Sequence, residues 1–228
     1  MSAPLGQSAL RVMQFAKVPQ LGKVKTRLAK SIGDLAAYEA HCQLIRYGLS
    51  AWRESPAGQE SWGFELWWDQ APTPEHRQLF EQGGRVAGVV EKVQSEGDLG
   101  AKMANALAGA ILSGCCAALI VGSDCPSVDS AYLSEAFQQL KKVDLVLGPA
   151  EDGGYVLIGC SSSINPGMLN PLLTGIQWGT DRVLSQTIQN AEEIGVSCAQ
   201  LDTRWDVDEE SDWLRFQEEV TKRHHQPV

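Results

Sequence analysis

The sequence predicts an α/β fold built on a mainly parallel, mixed sheet with helices on both faces. Three observations carry this. Apolar β-type runs alternate with segments of helical periodicity along the 228 residues, and that alternation implies parallel strands joined by crossover helices. Ala117–Val121 (AALIV) is wholly apolar, the pattern of a strand buried on both faces. Asp152-Gly153-Gly154 joins two strand-like runs by a connection too short for a crossover, so one strand there runs antiparallel.

The elements follow in order. Leu10–Phe15 (LRVMQF) reads as the first strand. Asp34 can cap a helix through about Trp52, with Leu35, Tyr38, Cys42, Ile45 and Leu49 at helical spacing. Phe64–Trp68 is a second strand, Pro74–Gln82 a short helix and Val86–Val93 a third strand. Leu99–Leu112 is a helix with Met103, Leu107 and Ile111 four apart. After the apolar strand come a helix over Ala131–Lys141 and strands over Asp144–Gly148 and Tyr155–Ile158. Thr180 can cap a helix carrying Val183, Leu184, Thr187, Ile188 and Ala191. Val196–Leu201 is a late strand and Glu209–Val220 the final helix.

A hydrophobic fraction of 43% supports a substantial core, and the length fits one domain over residues 1–228. The net charge of −9 argues against nucleic acid and anionic membranes as partners, though a local basic cluster can still hold a phosphorylated small molecule. The six cysteines form no CxxC pair, and four of them lie in or beside apolar runs, as reduced thiols of a cytosolic protein do. The first residues lack the apolar region of a secretory signal, and no apolar run approaches the roughly 20 residues of a membrane helix. A soluble cytoplasmic protein is expected. The sequence carries no signal of oligomeric state.

Chemistry concentrates at predicted strand ends, where open α/β sheets place their sites. After strand one, Lys17, Lys23, Lys25, Arg27 and Lys30 put five of 19 basic residues into 14 positions. Lys as a point charge and Arg as a bidentate fork suit a diphosphate, although a basic turn leading into a helix explains the segment too. No GxxxxGK[ST] or GxGxxG motif is present. Gly122-Ser123-Asp124-Cys125-Pro126 ends the apolar strand. Its Asp suits Mg²⁺ or Mn²⁺, which take few protein carboxylates and fill their shell with water and phosphate, and it also suits an ordinary turn. In Glu151–Tyr155 (EDGGY), adjacent glycines allow close approach to a ligand, and Asp-Gly is equally a hairpin signal. Asp206-Val207-Asp208 puts both carboxylates on one side if extended, within reach of the cation of Asp124, unless Asp208 only caps the last helix. Gln94–Asn105 opens a helix around Asp98, whose free N–H groups can meet a base or ribose. Trp178, beside a glycine in a polar stretch, can line the site. The four histidines lack metal-ligand spacing, and no GxSxG elbow occurs.

Taken in order, FAKVPQLGKVKTRL, GDLGAKM, LIVGSDCP, LGPAEDGGYVLIG, IQWGT and DVDEESDW resemble a bacterial glycosyltransferase-A-like family. That family was first catalogued as a domain of unknown function and is also labelled an arsenosugar-biosynthesis glycosyltransferase or radical-SAM/selenodomain-associated transferase. The resemblance spans roughly residues 10–215. It implies a nucleotide-diphospho-sugar transferase (GT-A, Rossmann-like) fold, a three-layer α/β/α sandwich. It also implies that Ala16, Lys17, Lys25 and Arg27 form the phosphate loop and that Asp98, Leu99 and Gly100 face base and ribose. Asp124 becomes the metal aspartate, joined by Asp206 or Asp208. Asp152, Gly153, Gly154 and Trp178 lie on the acceptor side, with Asp152 as a base and Lys25 and Arg27 stabilising the leaving diphosphate. The expected activity is Mg²⁺- or Mn²⁺-dependent glycosyl transfer from a nucleotide sugar to a small-molecule acceptor. Glycosyltransferases of this fold usually show Asp-x-Asp at the metal strand, and this chain has Ser123-Asp124-Cys125. A single Asp followed by Pro is closer to nucleotidyltransferases, which move a nucleotidyl group from an NTP to a phosphorylated acceptor. A catalytically inactive nucleotide-binding protein is the third reading. Asp124→Asn is expected to abolish metal-dependent nucleotide binding with little loss of folding.

Overall fold

The computed structural model describes residues 9–53, 55–74 and 89–224. Its strands are β1 (Leu10–Ala16), β2 (Gly63–Trp68), β3 (Val90–Val93), β4 (Ala117–Gly122), β5 (Leu145–Pro149), β6 (Tyr155–Ser161) and β7 (Cys198–Gln200). They form one sheet in the order β3-β2-β1-β4-β6-β5-β7. Every pairing is parallel except those of β6, which runs antiparallel to both β4 and β5. The mixed sheet expected from the Asp-Gly-Gly turn is therefore present. From β1 the chain fills one side of the sheet with β2 and β3, then returns on the other side as β4. The order reverses between β1 and β4, so a crevice opens at their carboxyl ends.

The helices are α1 (Thr26–Ile32), α2 (Asp34–Ala51), α3 (Leu99–Leu112), α4 (Ser130–Gln139), α5 (Leu169–Leu173), α6 (Val183–Glu193) and α7 (Glu210–His224). Alternate strand residues face opposite layers. Val12, Leu119, Val121, Val146 and Leu157 pack with Ile45 and Leu49 of α2, with Trp52 just past its end, and with Leu133 and Phe137 of α4. Met13, Ile120, Leu145, Leu147 and Ile158 pack on the other face with Met103 and Leu107 of α3 and Leu172 of α5. Each fully buried Leu, Ile or Val contributes about 1.5–3 kcal/mol, so β4, with Leu119 at 0% exposure on one face and Ile120 at 4% on the other, anchors the two layers at once. A third cluster joins Leu28 of α1, Leu44 of α2 and Phe216 of α7 to Trp205 and Val207. It fastens the Asp206–Asp208 segment beside the basic segment, 180 residues away in the chain.

Several boundaries differ from expectation for physical reasons. The basic segment is not all loop, because α1 begins directly after Lys25. Strand β6 runs on to Ser161, its Gly159 and Cys160 paired on both sides. Thr180 does not cap α6. Its hydroxyl donates to the Gln177 carbonyl at 2.8 Å, and the helix starts at Val183. The short helix α5, opening Leu-Asn-Pro, has no apolar period long enough to read. The expected helix Pro74–Gln82 and the first residues of Val86–Val93 lie outside the described residues. All six cysteines are free. Among the described residues no helix is long and apolar enough to cross a membrane.

Candidate active site at the β1–β4 switch point

The segment after β1 is held at three points. His41 of α2, buried at 4% exposure, bonds the Lys17 carbonyl through Nε2 at 2.9 Å. Asp69, just past β2, accepts from the Val18 N–H at 2.7 Å. Lys25 takes the left-handed conformation (φ 47°), the one non-glycine with positive φ among the described residues. That backbone costs of order 1 kcal/mol or more and persists only where its surroundings hold it.

The hold is ionic. Lys25 Nζ donates to Asp124 Oδ2 at 2.7 Å, to Asp208 Oδ1 at 3.3 Å and to the Val207 carbonyl. Its side chain is 6% exposed. Burial alone would lower its pKa, but the charges of Asp124, Asp208 and Asp206 outweigh burial and raise it. Burial likewise opposes ionisation of Asp124, yet the Lys25 ammonium holds that carboxyl below the usual range. Arg27, exposed, reaches Asp208 Oδ2 at 3.1 Å. Asp206 has the opposite fate. Burial first, then the neighbouring charges of Asp124 and Asp208, push it up to about 7.

The Asp206–Asp208 segment lies against the strand end, the Val207 N–H donating to the Asp124 carbonyl at 2.9 Å. One carboxylate oxygen from each of Asp124, Asp206 and Asp208 lies within 4.8 Å of the others. Three hard oxygen donors gathered this closely are of the kind a divalent cation takes. Asp208 does not cap α7. Asp212, in the first turn of α7, instead reaches back to the entering chain, its Oδ2 accepting from the N–H groups of Asp208 and Glu209 at 3.0 and 2.9 Å.

Two compartments meet at Asp124. The first, about 540 Å³, contains Ala16, Lys17, Lys25, Arg27 and Asp208, together with His41, Asp69 and Lys102. The second, about 240 Å³, contains Asp152, Gly154, Trp178 and Asp206. Phe15, Leu99 and Gly122 border both. Asp98 caps α3, accepting from the Ala101 N–H at 2.8 Å. Gly100 is buried against α5, where a Cβ would come within 2.4 Å of the Leu173 carbonyl oxygen, so its missing side chain serves packing. Asp152 closes its own turn, accepting from the Gly154 N–H at 2.9 Å. Gly153 has φ 88°, and a Cβ there would meet the Asp181 carbonyl oxygen at 2.4 Å. Trp178 stands edge-on to Tyr155, with ring centroids 6.4 Å apart.

Three lining residues escaped the sequence reading. Lys102 sits one turn into α3 and extends the cationic wall. Asp69 follows β2, where only its strand-end position marks it. His41 looks like one more core position of an amphipathic helix. Its contact with Lys17 depends on the crossover bringing α2 back over β1.

A Rossmann-like sheet with carboxylates and cations gathered at its switch point defines the class of the nucleotide-diphospho-sugar transferase fold. The chain belongs to the family of uncharacterized proteins conserved in bacteria, DUF2064, whose profile matches residues 57–180. A nucleotide-diphospho-sugar transferase from Desulfovibrio desulfuricans G20, so assigned by name, is 26% identical with a TM-score of 0.76, over 89% of this chain and 84% of that one. A nucleotidyl transferase from Methanothermobacter is 14% identical with a TM-score of 0.59, over 96% and 100%. A cytidylyltransferase from Leptospira borgpetersenii is 11% identical with a TM-score of 0.55, over 97% and 99%. The last two likenesses are of fold alone. No curated protein matches the chain at the sequence level. Together these findings support a transferase that handles nucleotides.

Proposed function

We propose that the chain is a metal-dependent glycosyltransferase, using a nucleotide-diphospho-sugar donor and a small-molecule acceptor. One observation carries this reading: a cation-lined compartment and a second compartment share Asp124 as their common wall. In the reading, Lys17, Lys25 and Arg27 bind the diphosphate, and Asp124, Asp206 and Asp208 hold Mg²⁺ or Mn²⁺. When bound, the cation offsets charge on the leaving diphosphate. Lys25 and Arg27 add to that stabilisation from fixed positions. An acceptor hydroxyl in the second compartment attacks the anomeric carbon, the bond to the diphosphate oxygen breaks, and Asp152 takes the hydroxyl proton. The turn that Asp152 closes fixes its carboxylate without a cationic partner. The whole chain acts as one GT-A-like domain.

A second reading is favoured by the lone Asp at the β4 end. Nucleotidyl transfer from an NTP would use the same cations and carboxylates, with pyrophosphate leaving. Product analysis separates the two. We expect labelled sugar from a nucleotide-sugar panel to reach an acceptor or water when Mg²⁺ is added. Pyrophosphate release from any NTP, with no nucleotide sugar consumed, would replace the first reading by the second. Nucleotide binding with no turnover of either donor class would make the protein a binding module.

A further inference from the structure

The charges of the cleft are sorted. Lys17, Lys25, Arg27 and Lys102 all line the first compartment. Among the described residues, the charged groups lining the second are Asp124, Asp152 and Asp206, all acidic. Its other walls are mostly apolar, among them Met103, Ile120 and Ile158, with the Tyr155–Trp178 edge-on pair. At about 240 Å³ it is smaller than the roughly 300–1,000 Å³ of drug-sized sites, so it suits a single ring.

Lys25 and Arg27 are already paired with Asp124 and Asp208, and in the reading above they also meet the donor diphosphate. Among the described residues no lysine or arginine lines the second compartment, and the divalent cation of that reading is matched by Asp124, Asp206, Asp208 and the diphosphate, which leaves Asp152 as the charge without a counter-ion. An anion entering it would lose its hydration against apolar walls and meet the Asp152 carboxylate, a like-charge contact with no lining lysine or arginine to offset it. An uncharged hydroxyl meets no such penalty and finds acceptors for its proton.

We propose that the acceptor is a hydroxyl-bearing, non-anionic small molecule with a compact apolar part, seated against Trp178 with its polar end toward Asp152 and Asp206. This rests on the glycosyl-transfer reading of the same cleft, and it excludes the phosphorylated acceptors that nucleotidyl transfer needs.

Three near-isosteric probes test it: 2-phenylethanol, 2-phenylethylamine and phenylacetate. Their dissociation constants are measured by NMR titration of the full chain, alone and with Mg²⁺ and pyrophosphate, which stands in for any donor diphosphate. The alcohol and the amine should bind, and phenylacetate should bind at least about tenfold more weakly. Asp152→Asn keeps its turn, because the Asn carbonyl can accept the Gly154 N–H, and should narrow that gap. Trp178→Ala should weaken the alcohol. Phenylacetate binding as tightly as the alcohol overturns the proposal, as does failure of all three to bind. A gap unchanged in Asp152→Asn also overturns it. The probes need no donor, so the outcome is independent of the product analysis. Pyrophosphate release from an NTP would end the glycosyl-transfer reading whatever the probes do.

Discussion

Lys25 and Asp124 form the pair on which the site turns. Removing one member of a buried ion pair leaves the other uncompensated, which costs about 3–5 kcal/mol. The Asp124 side chain is 33% exposed and Asp208 remains near Lys25, so Asp124→Asn should cost about 1–2 kcal/mol in urea unfolding as well as Mg²⁺-dependent nucleotide binding. The sequence alone gives no sign of this cost: Asp124 reads as a strand-end turn residue, and nothing local shows that Lys25 lies against it. Asp206 gives the opposite sign. In the fold it keeps its proton up to about pH 7, against 3.8 ordinarily. The folded state then binds more protons than the unfolded chain between those values, and stability falls as pH rises through that window. Metal-free Asp206→Asn should therefore melt clearly above the parent at pH 8, by about 4 °C or more, and level with it near pH 4. Equal melting temperatures at pH 8 would show that Asp206 carries no such penalty. The acidic triad was legible because its members sit at an apolar strand end and in an Asp-x-Asp spacing. His41 was not, since burial on an amphipathic helix leaves the same pattern whether or not the ring touches a loop.

Helix α3 was the element read most closely, its limits matching the expected Leu99–Leu112, because its start is capped by Asp98 and its apolar residues recur by four. What the pattern could not give was its neighbour. The approach of α5 to Gly100 joins segments over 70 residues apart, and α5 itself has one turn and a proline. Gly100→Ala should push the two helices apart. We expect a loss of about 1–3 kcal/mol, the range for overpacking, read as a lowered urea midpoint. An unchanged midpoint would mean the Leu173 backbone yields freely. Strand β7 pairs over Cys198–Gln200, short of the expected Val196–Leu201, because its length depends on how far its partner β5 runs beside it, and the Thr180 hydroxyl is taken up by the Gln177 carbonyl in its own turn; neither is marked in local composition.

At the scale of the molecule, parallel alternation and the one reversed strand were legible from run lengths, whereas strand order was not. That order depends on which side of β1 each crossover returns to, and it decides that residues near 17, 124 and 207 share one crevice. The charge sorting is likewise a property of the whole. The chain is −9 overall, yet its cationic residues line one side of the switch-point cleft. Phosphate-bearing ligands must approach an acidic body to reach a basic pocket. Their affinity should fall as KCl rises from 50 to 500 mM, while that of 2-phenylethanol stays level. Calorimetry at several salt concentrations reads both, and a salt-independent pyrophosphate affinity would mean that the basic wall is not the binding surface.

The Lys25 ammonium, resting among three carboxylates on a left-handed backbone, acts as a resident counter-ion. The fold does not have to wait for a divalent cation to quench its own acidic cluster. An incoming ion competes with that ammonium, and it does so best when a diphosphate arrives to receive the displaced charge. Metal and donor should then load as one complex, in a single kinetic phase. Lys25→Ala should tighten Mg²⁺ binding in the absence of nucleotide while weakening pyrophosphate. If both affinities fall together, Lys25 is not the occupant that the metal displaces.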